Sequence, residues 1–186
     1  PSAARRARAL LQEVVELHPG TEAAEEAVGI LWRLDHLAIG AVAPDFVAKD
    51  VDGNELRLSD WNGHVVLVDF WSQKDLGAEK RLASRRALFE RFRDERFTLV
   101  GVNLDGQEYA YRRNVEEFEI DWPNAFTGGP NERVIWTIRG PASFVLAPGR
   151  VIRFADLGVG ELEQAIEQLL AEGKEVGDPG ADGSSL

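Results

Sequence analysis

Two aspartates near a strand-to-helix junction are the residues of this sequence best placed to do chemistry. Asp75 follows the apolar run Val65–Trp71 and precedes a helical pattern, so its carboxylate would stand at a helix N-terminus. A carboxylate there can cap the helix and offset its positive end. We interpret Asp75 as a structural N-cap whose replacement by alanine would cost about 0.5–2 kcal/mol, rather than as a catalytic acid.

The second carboxylate, Asp69, lies inside the apolar run and is therefore predicted to be buried. If it has no partner, desolvation strains the charged form, and Asp69→Asn or Asp69→Leu should stabilise the protein at pH 7. The alternative is that a buried lysine or a water satisfies the carboxylate. Asp69 would then be a structural hydrogen-bond hub, and its substitution would destabilise the protein at every pH. We favour the hypothesis of a strained acid and keep the hydrogen-bond hub as the alternative.

Residue types exclude several other kinds of site. The chain has no cysteine, which rules out thiol catalysis, disulfides and thiolate metal sites. His18, His36 and His64 lie in separate segments without ligand spacing, so we expect no metal and no cofactor. The serine elbow G-x-S-x-G and the phosphate-binding G-x-x-x-x-G-K pattern are both missing.

Composition narrows the possible partners. A net charge of -11, with 32 acidic residues and no basic patch, argues against a nucleic-acid partner. No apolar run approaches the ~20 residues that span a bilayer, which predicts a soluble chain without a membrane span. Because the 186 residues include no methionine and begin at Pro1, we expect a processed or excised portion of a longer product.

The elements that position the aspartates alternate between strands and helices. Val65–Trp71 is typical of a fully buried strand, and an apolar stripe from residue 78 to residue 92 predicts a helix. A second strand at 97–104 and a helix at 109–118 follow, which indicates a crossover and a parallel strand pair. A loop is predicted at 120–130, one or two helical turns over 132–137, and a closing hairpin of strands at 143–147 and 150–154. We assign a cluster of five arginines between residues 81 and 93 to a solvated face, because acidic residues are interleaved with them: Arg81, Arg85, Arg86, Arg91 and Arg93.

Two more helices are predicted before the sheet, over residues 3–17 and 22–36. His18–Thr21 separates them, with Pro-Gly as a stop and Thr21 as an N-cap, so they form an antiparallel hairpin. The linker HPGTEAAEEA resembles that of a tetratricopeptide unit. The hairpin either packs on the main domain, which we favour, or ends a longer array.

The motifs in chain order resemble the thioredoxin superfamily, in particular its TlpA-like and redoxin (AhpC-TSA-like) branch. The resemblance rests on G-x-x-A-P-D-F at Gly40–Phe46, L-S-D-x-x-G at Leu58–Gly63, VVLVDFW at Val65–Trp71, and the loop and strand at 138–144. It implies an α/β thioredoxin-like fold, a central mixed β-sheet flanked by helices, with an N-terminal helical hairpin. We divide the chain into the hairpin at 1–37, the thioredoxin-like domain at 38–172 and a disordered tail at 173–186.

The same resemblance implies where a redox site would lie. Two cysteines would occupy the positions of Asp75 and Ala78, and Asp69 matches a buried proton acceptor. Asp105 resembles part of the family pattern, and we interpret it as a helix-start residue. The matching positions as a set are Trp71, Asp75, Leu76, Gly77, Ala78 and Pro141.

The loop before the closing hairpin departs from the family pattern. The resemblance implies a cis bond before Pro141, facing the redox pair. Gly140 directly precedes Pro141, however, so the residue whose backbone pairs with a substrate peptide in active relatives is missing. Peptide binding of that kind is therefore not expected here.

Two hypotheses of function follow. The first is a redox-inactive TlpA-like domain that acts as a protein-interaction or structural module with a protein partner, because neither Asp75 nor Ala78 can attack a disulfide. The alternative is a thiol-disulfide oxidoreductase whose cysteines were removed by engineering. The resemblance also implies an exported, periplasmic or cell-envelope location.

Overall fold

A computed structural model describes residues 3–127, 136–138 and 140–176. The chain begins with the predicted helical hairpin, α1 (Ala3–Leu17) and α2 (Glu22–His36). The Thr21 hydroxyl accepts a hydrogen bond from the Ala24 amide at 3.2 Å, which confirms the predicted N-cap. Helix α1 buries none of its residues, whereas α2 buries Ala24 and Ala27.

A mixed sheet follows the hairpin. Its strands are β1 (Val47–Lys49), β2 (Glu55–Arg57), β3 (Val65–Trp71), β4 (Phe97–Asn103), β5 (Asn124–Phe126), β6 (Ala142–Ala147) and β7 (Val151–Ala155). The order across the sheet is β2-β1-β5-β4-β3-β6-β7. Strands β3 and β4 pair in parallel, as predicted, and β6 runs antiparallel to β3. The central position of β3 explains why all of its residues are buried.

Three helices accompany the strands: α3 (Ala78–Arg91), α4 (Glu108–Glu117) and α5 (Val159–Val176). Because side chains alternate along a strand, β3 contributes to two cores. Val66, Val68 and Phe70 belong to the first core. They share it with apolar residues of the segment that precedes β1, among them Leu37, Ala43 and Phe46. Val65, Leu67 and Trp71 belong to the second core, which α3, α4 and α5 share.

Two boundary predictions were wrong. Asn124–Phe126 lies in a stretch predicted to be a loop but forms β5, because β4 on one side and β1 on the other supply its hydrogen bonds. The tail was predicted to begin at residue 173, yet α5 continues to Val176. The helical turns predicted over 132–137 lie largely outside the described residues.

Helix α2 is fixed to the sheet domain by a short segment, Trp136–Ile138. The Trp136 ring is buried in the first core, and its indole Nε1 donates to the Pro44 carbonyl at 3.0 Å. Thr137 donates from Oγ1 to the Gly29 carbonyl at 3.1 Å, and its own carbonyl accepts from Arg33 at 2.6 Å. These hydrogen bonds hold α2 against the sheet domain, which is the arrangement that we favoured for the hairpin.

Candidate functional site

The strand-to-helix junction does not have the capping geometry predicted from the sequence. Helix α3 begins at Ala78, and its N-cap residue is Gly77, with φ of 78° and no side-chain cap. The Asp75 carboxylate points back along the chain and accepts a hydrogen bond from the Ser72 amide at 2.9 Å. The N-cap assignment of Asp75 is therefore wrong. Two residues, Leu76 and Gly77, separate Asp75 from the helix. Gly77 adopts the left-handed conformation that connects the turn to the helix, and glycine takes up this conformation readily.

The other junction positions offer no reactive group. Trp71 ends β3 in the second core, and Ala78 is buried at the start of α3. Leu76 projects fully into solvent between them. The surface above the strand end thus presents an apolar side chain and a carboxylate bonded to its own turn. None of these groups is a thiol, and disulfide exchange begins with attack by a thiolate.

Beneath the junction, Asp69 is held by two arginines. Its Oδ1 accepts from Arg81 Nη2 at 2.7 Å and from Arg85 Nε at 3.0 Å. Only 1% of the Asp69 side chain is exposed, against 4% for Arg85 and 23% for Arg81. The unpaired, strained acid that we favoured is therefore wrong. The alternative of a satisfied buried carboxylate describes the site, with arginine in place of lysine or water.

Two of the five arginines predicted on a solvated face turn inward instead. Arg81 and Arg85 turn toward Asp69, because a buried carboxylate on β3 compensates their charge. A signal for this was present in the sequence. Arg85 stands three residues from both Leu82 and Leu88 and so lies within the buried stripe of α3. The remaining three, which have exposed acidic partners, agree with the prediction: Arg86, Arg91 and Arg93.

Arg81 also joins the junction to the proline loop. Its Nη2 donates to the Ala142 carbonyl at 3.0 Å, one residue beyond Pro141. The peptide bond between Gly140 and Pro141 is trans, so the cis bond implied by the resemblance is not found here. A trans bond before proline is the more stable form unless tertiary contacts enforce the other.

Asp105 is the centre of a second polar cluster, where the loops after β3 and β4 meet. Its carboxylate accepts from Ser72 Oγ at 2.5 Å, the Gln73 amide at 3.2 Å and Asn103 Nδ2 at 3.0 Å. Asn114 Nδ2, on α4, donates to it at 3.0 Å. It caps no helix, since Gln107 is the N-cap residue of α4, so the helix-start assignment is wrong.

These hydrogen bonds determine the ionisation of Asp105. Burial alone would raise its pKa, but the donors from Ser72, Asn103, Gln73 and Asn114 together lower its pKa below the ordinary value. The carboxylate is thus charged at neutral pH and fully engaged. It fixes the ends of β3 and β4 and leaves no free acid for proton transfer.

A cleft of about 720 Å³ opens on the other side of the proline loop, between α2 and the start of β6. Its lining includes Glu25, Glu26, Trp32, Ile138, Pro141 and Asp156. None of the junction residues from Trp71 to Ala78 lines it. Of the positions matched to the family redox site, only Pro141 borders this cleft.

Two other kinds of site are absent from the described part of the chain. The described residues contain no group of three histidine, aspartate or glutamate side chains arranged to hold a metal ion. None of their helices has the length and apolar content that a bilayer-spanning helix needs.

Two curated proteins with similar sequences are thiol-disulfide oxidoreductases by name. The ResA thiol-disulfide oxidoreductase of Bacillus thuringiensis subsp. konkukian is 25% identical over 127 residues, which cover 67% of this chain and 73% of that protein. The ResA protein of Geobacillus kaustophilus is 28% identical over 104 residues, which cover 50% of this chain and 60% of that protein.

A solved structure supports the same relationship. The thioredoxin domain of a thiol-disulfide oxidoreductase from Bacteroides vulgatus superposes with a TM-score of 0.65 at 28% identity, and the match covers 72% of this chain and 98% of that domain. The family model described as AhpC/TSA matches residues 39–155, more than half of the chain. The chain therefore belongs to the AhpC/TSA family, in the redoxin branch of the thioredoxin superfamily, and does so without a cysteine.

Proposed function

We propose that this protein is a redox-inactive thioredoxin-fold domain that serves as a protein-interaction or structural module. The observation that carries the proposal is the geometry of the junction. Disulfide exchange needs a thiolate at the helix start and a second thiol to resolve the mixed disulfide. Here the Asp75 carboxylate accepts a hydrogen bond from the Ser72 amide, and Ala78 is buried and offers only a methyl group.

The state of Asp69 supports the same conclusion. The resemblance matches this residue to an acid that accepts a proton from the redox pair. In this chain Asp69 forms hydrogen-bonded ion pairs with Arg81 and Arg85. Its carboxylate is the counter-charge of the Arg85 guanidinium, which is itself buried. Both hydrogen bonds engage the carboxylate within the core, so we assign Asp69 a structural role.

A structural or binding role is also consistent with the intact scaffold. The sheet, both cores and the hydrogen bonds to Asp105 hold the ends of β3 and β4 in place, although the junction residues above them carry no thiol. We extend the proposal to an exported or cell-envelope location, which rests on the TlpA-like resemblance.

An insulin-reduction assay tests the proposal. We expect no turnover from the unmodified chain in the presence of dithiothreitol, above the rate of the reductant alone. A variant carrying Asp75→Cys and Ala78→Cys is the positive comparison, and Asp75→Ser with Ala78→Ser is the matched control without thiols. Measurable turnover by the unmodified chain would refute redox inactivity.

A further inference from the structure

We propose that the cleft between α2 and the proline loop binds a basic and partly apolar segment of a partner polypeptide. The inference rests on the proposed function as an interaction module and names the class of partner. The cleft lies outside the junction, and one of its walls is α2, which precedes the residues matched by the family model. It is thus a feature of this chain's own hairpin.

The size and lining of the cleft suit a short peptide segment. Its volume of about 720 Å³ is within the ~300–1,000 Å³ typical of ligand sites. Trp32, Ile138, Pro141 and Phe144 give it an apolar lining. One face of the Trp32 ring stacks on His36, with 4.4 Å between ring centroids, and the ring is only partly buried. Its remaining exposed surface borders the cleft, where a side chain of the partner can contact it. A bound aliphatic or lysine stem would remove this surface from water.

The charged residues that line the cleft indicate the charge of the partner. Glu25, Glu26 and Asp156 line the cleft and are exposed, so carboxylates border it on both sides. Among the described lining residues the one guanidinium, that of Arg33, directs its Nη1 to the Thr137 carbonyl at 2.6 Å. The chain as a whole carries a net charge of -11. Lysine or arginine is therefore attracted to this cleft, and acidic segments are repelled.

The wall formed by α2 is held rigidly enough to act as a binding surface. Gly29 and Arg33 are joined to Thr137, while Trp136 is anchored in the first core. Both Trp136 and Thr137 have positive φ, 57° and 54°, in the left-handed region. Surrounding contacts must enforce such a conformation, so the segment and α2 form one preorganised unit.

A titration followed by two-dimensional ¹H–¹⁵N NMR tests the proposal on the full chain. The probe is a short synthetic peptide in which lysine and leucine alternate, and the matched peptide has glutamate in place of each lysine. We expect the basic peptide to shift the amide signals of Gly29, Ile138 and Ala142. The acidic peptide should bind at least about tenfold more weakly.

Variants separate a specific cleft from general attraction to an acidic protein. Glu25→Gln with Glu26→Gln should weaken binding about three- to tenfold, and Trp32→Ala should weaken it more than about tenfold. Glu13→Gln with Glu16→Gln removes the same charge from α1 and should leave the affinity unchanged. Glu25→Lys with Glu26→Lys should reverse the preference toward the acidic peptide.

Several outcomes would overturn the inference. These are equal affinity for both peptides, shifts confined to surfaces outside the cleft, or equal loss of binding in the α1 control. Concentration-dependent shifts of the same signals without peptide would assign the cleft to a second copy of this chain instead. The insulin assay is independent of all of these, so failure of the cleft leaves redox inactivity standing, and turnover would leave the cleft standing.

Discussion

Arg85 places its Nε 3.0 Å from Oδ1 of Asp69, and the two side chains are buried together, with 4% and 1% of their surface exposed. Neither charge could occupy this position alone, because an isolated ion in the core loses its hydration without compensation. The pair therefore explains why an acid persists in the middle of the otherwise apolar strand β3.

Asp69→Asn should destabilise the protein at pH 7 by about 3–5 kcal/mol, because it leaves Arg85 without a counter-charge. Urea unfolding at that pH measures the change in free energy. The control is Glu108→Gln, which breaks an exposed pair with Arg112 and should cost less than about 1 kcal/mol. The double variant Asp69→Leu with Arg85→Met should lose less stability than Asp69→Asn alone. If Asp69→Asn were instead more stable than wild type, the hypothesis of a strained acid would be supported.

Asp105→Asn should destabilise the protein by about 1–3 kcal/mol at neutral pH, since donors from Ser72 and Gln73 lose a charged acceptor. Hydrogen bonds lower the pKa of Asp105 in the folded state. Its contribution is therefore present above the unfolded pKa of about 3.9 and is lost as the pH falls through the folded pKa.

Melting temperatures of wild type and Asp105→Asn between pH 3 and pH 7 check this dependence. The gap between the two proteins should be constant near neutrality and should narrow below about pH 4. Ser72→Ala, which removes a single donor, should give a smaller gap. A gap that widens toward acid would mean that folding raises the pKa of Asp105 instead of lowering it.

Asp75→Ala should cost about 0.5–1.5 kcal/mol through loss of the hydrogen bond from the Ser72 amide, not through uncapping of α3. Amide hydrogen exchange distinguishes the two causes. Exchange should accelerate at the Ser72 amide and stay constant at the Glu79 and Lys80 amides. Asp75→Asn keeps an acceptor and should behave like wild type. Faster exchange at Glu79 and Lys80 in Asp75→Ala would support the N-cap after all.

Arg33→Met should loosen α2 from the sheet domain, since it removes the donor to the Thr137 carbonyl. A hydrogen bond from a charged group contributes about 1.5–3 kcal/mol, and we expect a loss in this range. Exchange of the α2 amides should accelerate while that of the β3 amides is unchanged. Arg8→Met, which removes an exposed pair with Asp35, is the matched control and should leave α2 protected from exchange as in wild type. Equal acceleration in both variants would contradict the proposed anchor.

The sequence alone determined the elements whose signals are local. The stop and cap around Thr21 defined the helical hairpin, and the unbroken apolar run Val65–Trp71 identified the central strand. The absence of cysteine excluded thiol chemistry on composition alone. Such features depend on neighbouring residues or on composition, so no long-range contact is needed to recognise them.

Only the tertiary structure decided how the polar groups are satisfied. Asp69 meets Arg81 and Arg85, and Asp105 meets Asn114, across turns and layers that sequence spacing does not measure. Strand β5 likewise exists because two other strands offer it hydrogen bonds. A buried charged side chain pairs with the polar groups that the tertiary fold places within hydrogen-bond distance. Its environment is therefore a property of packing, and the sequence pattern shows only that a partner is required.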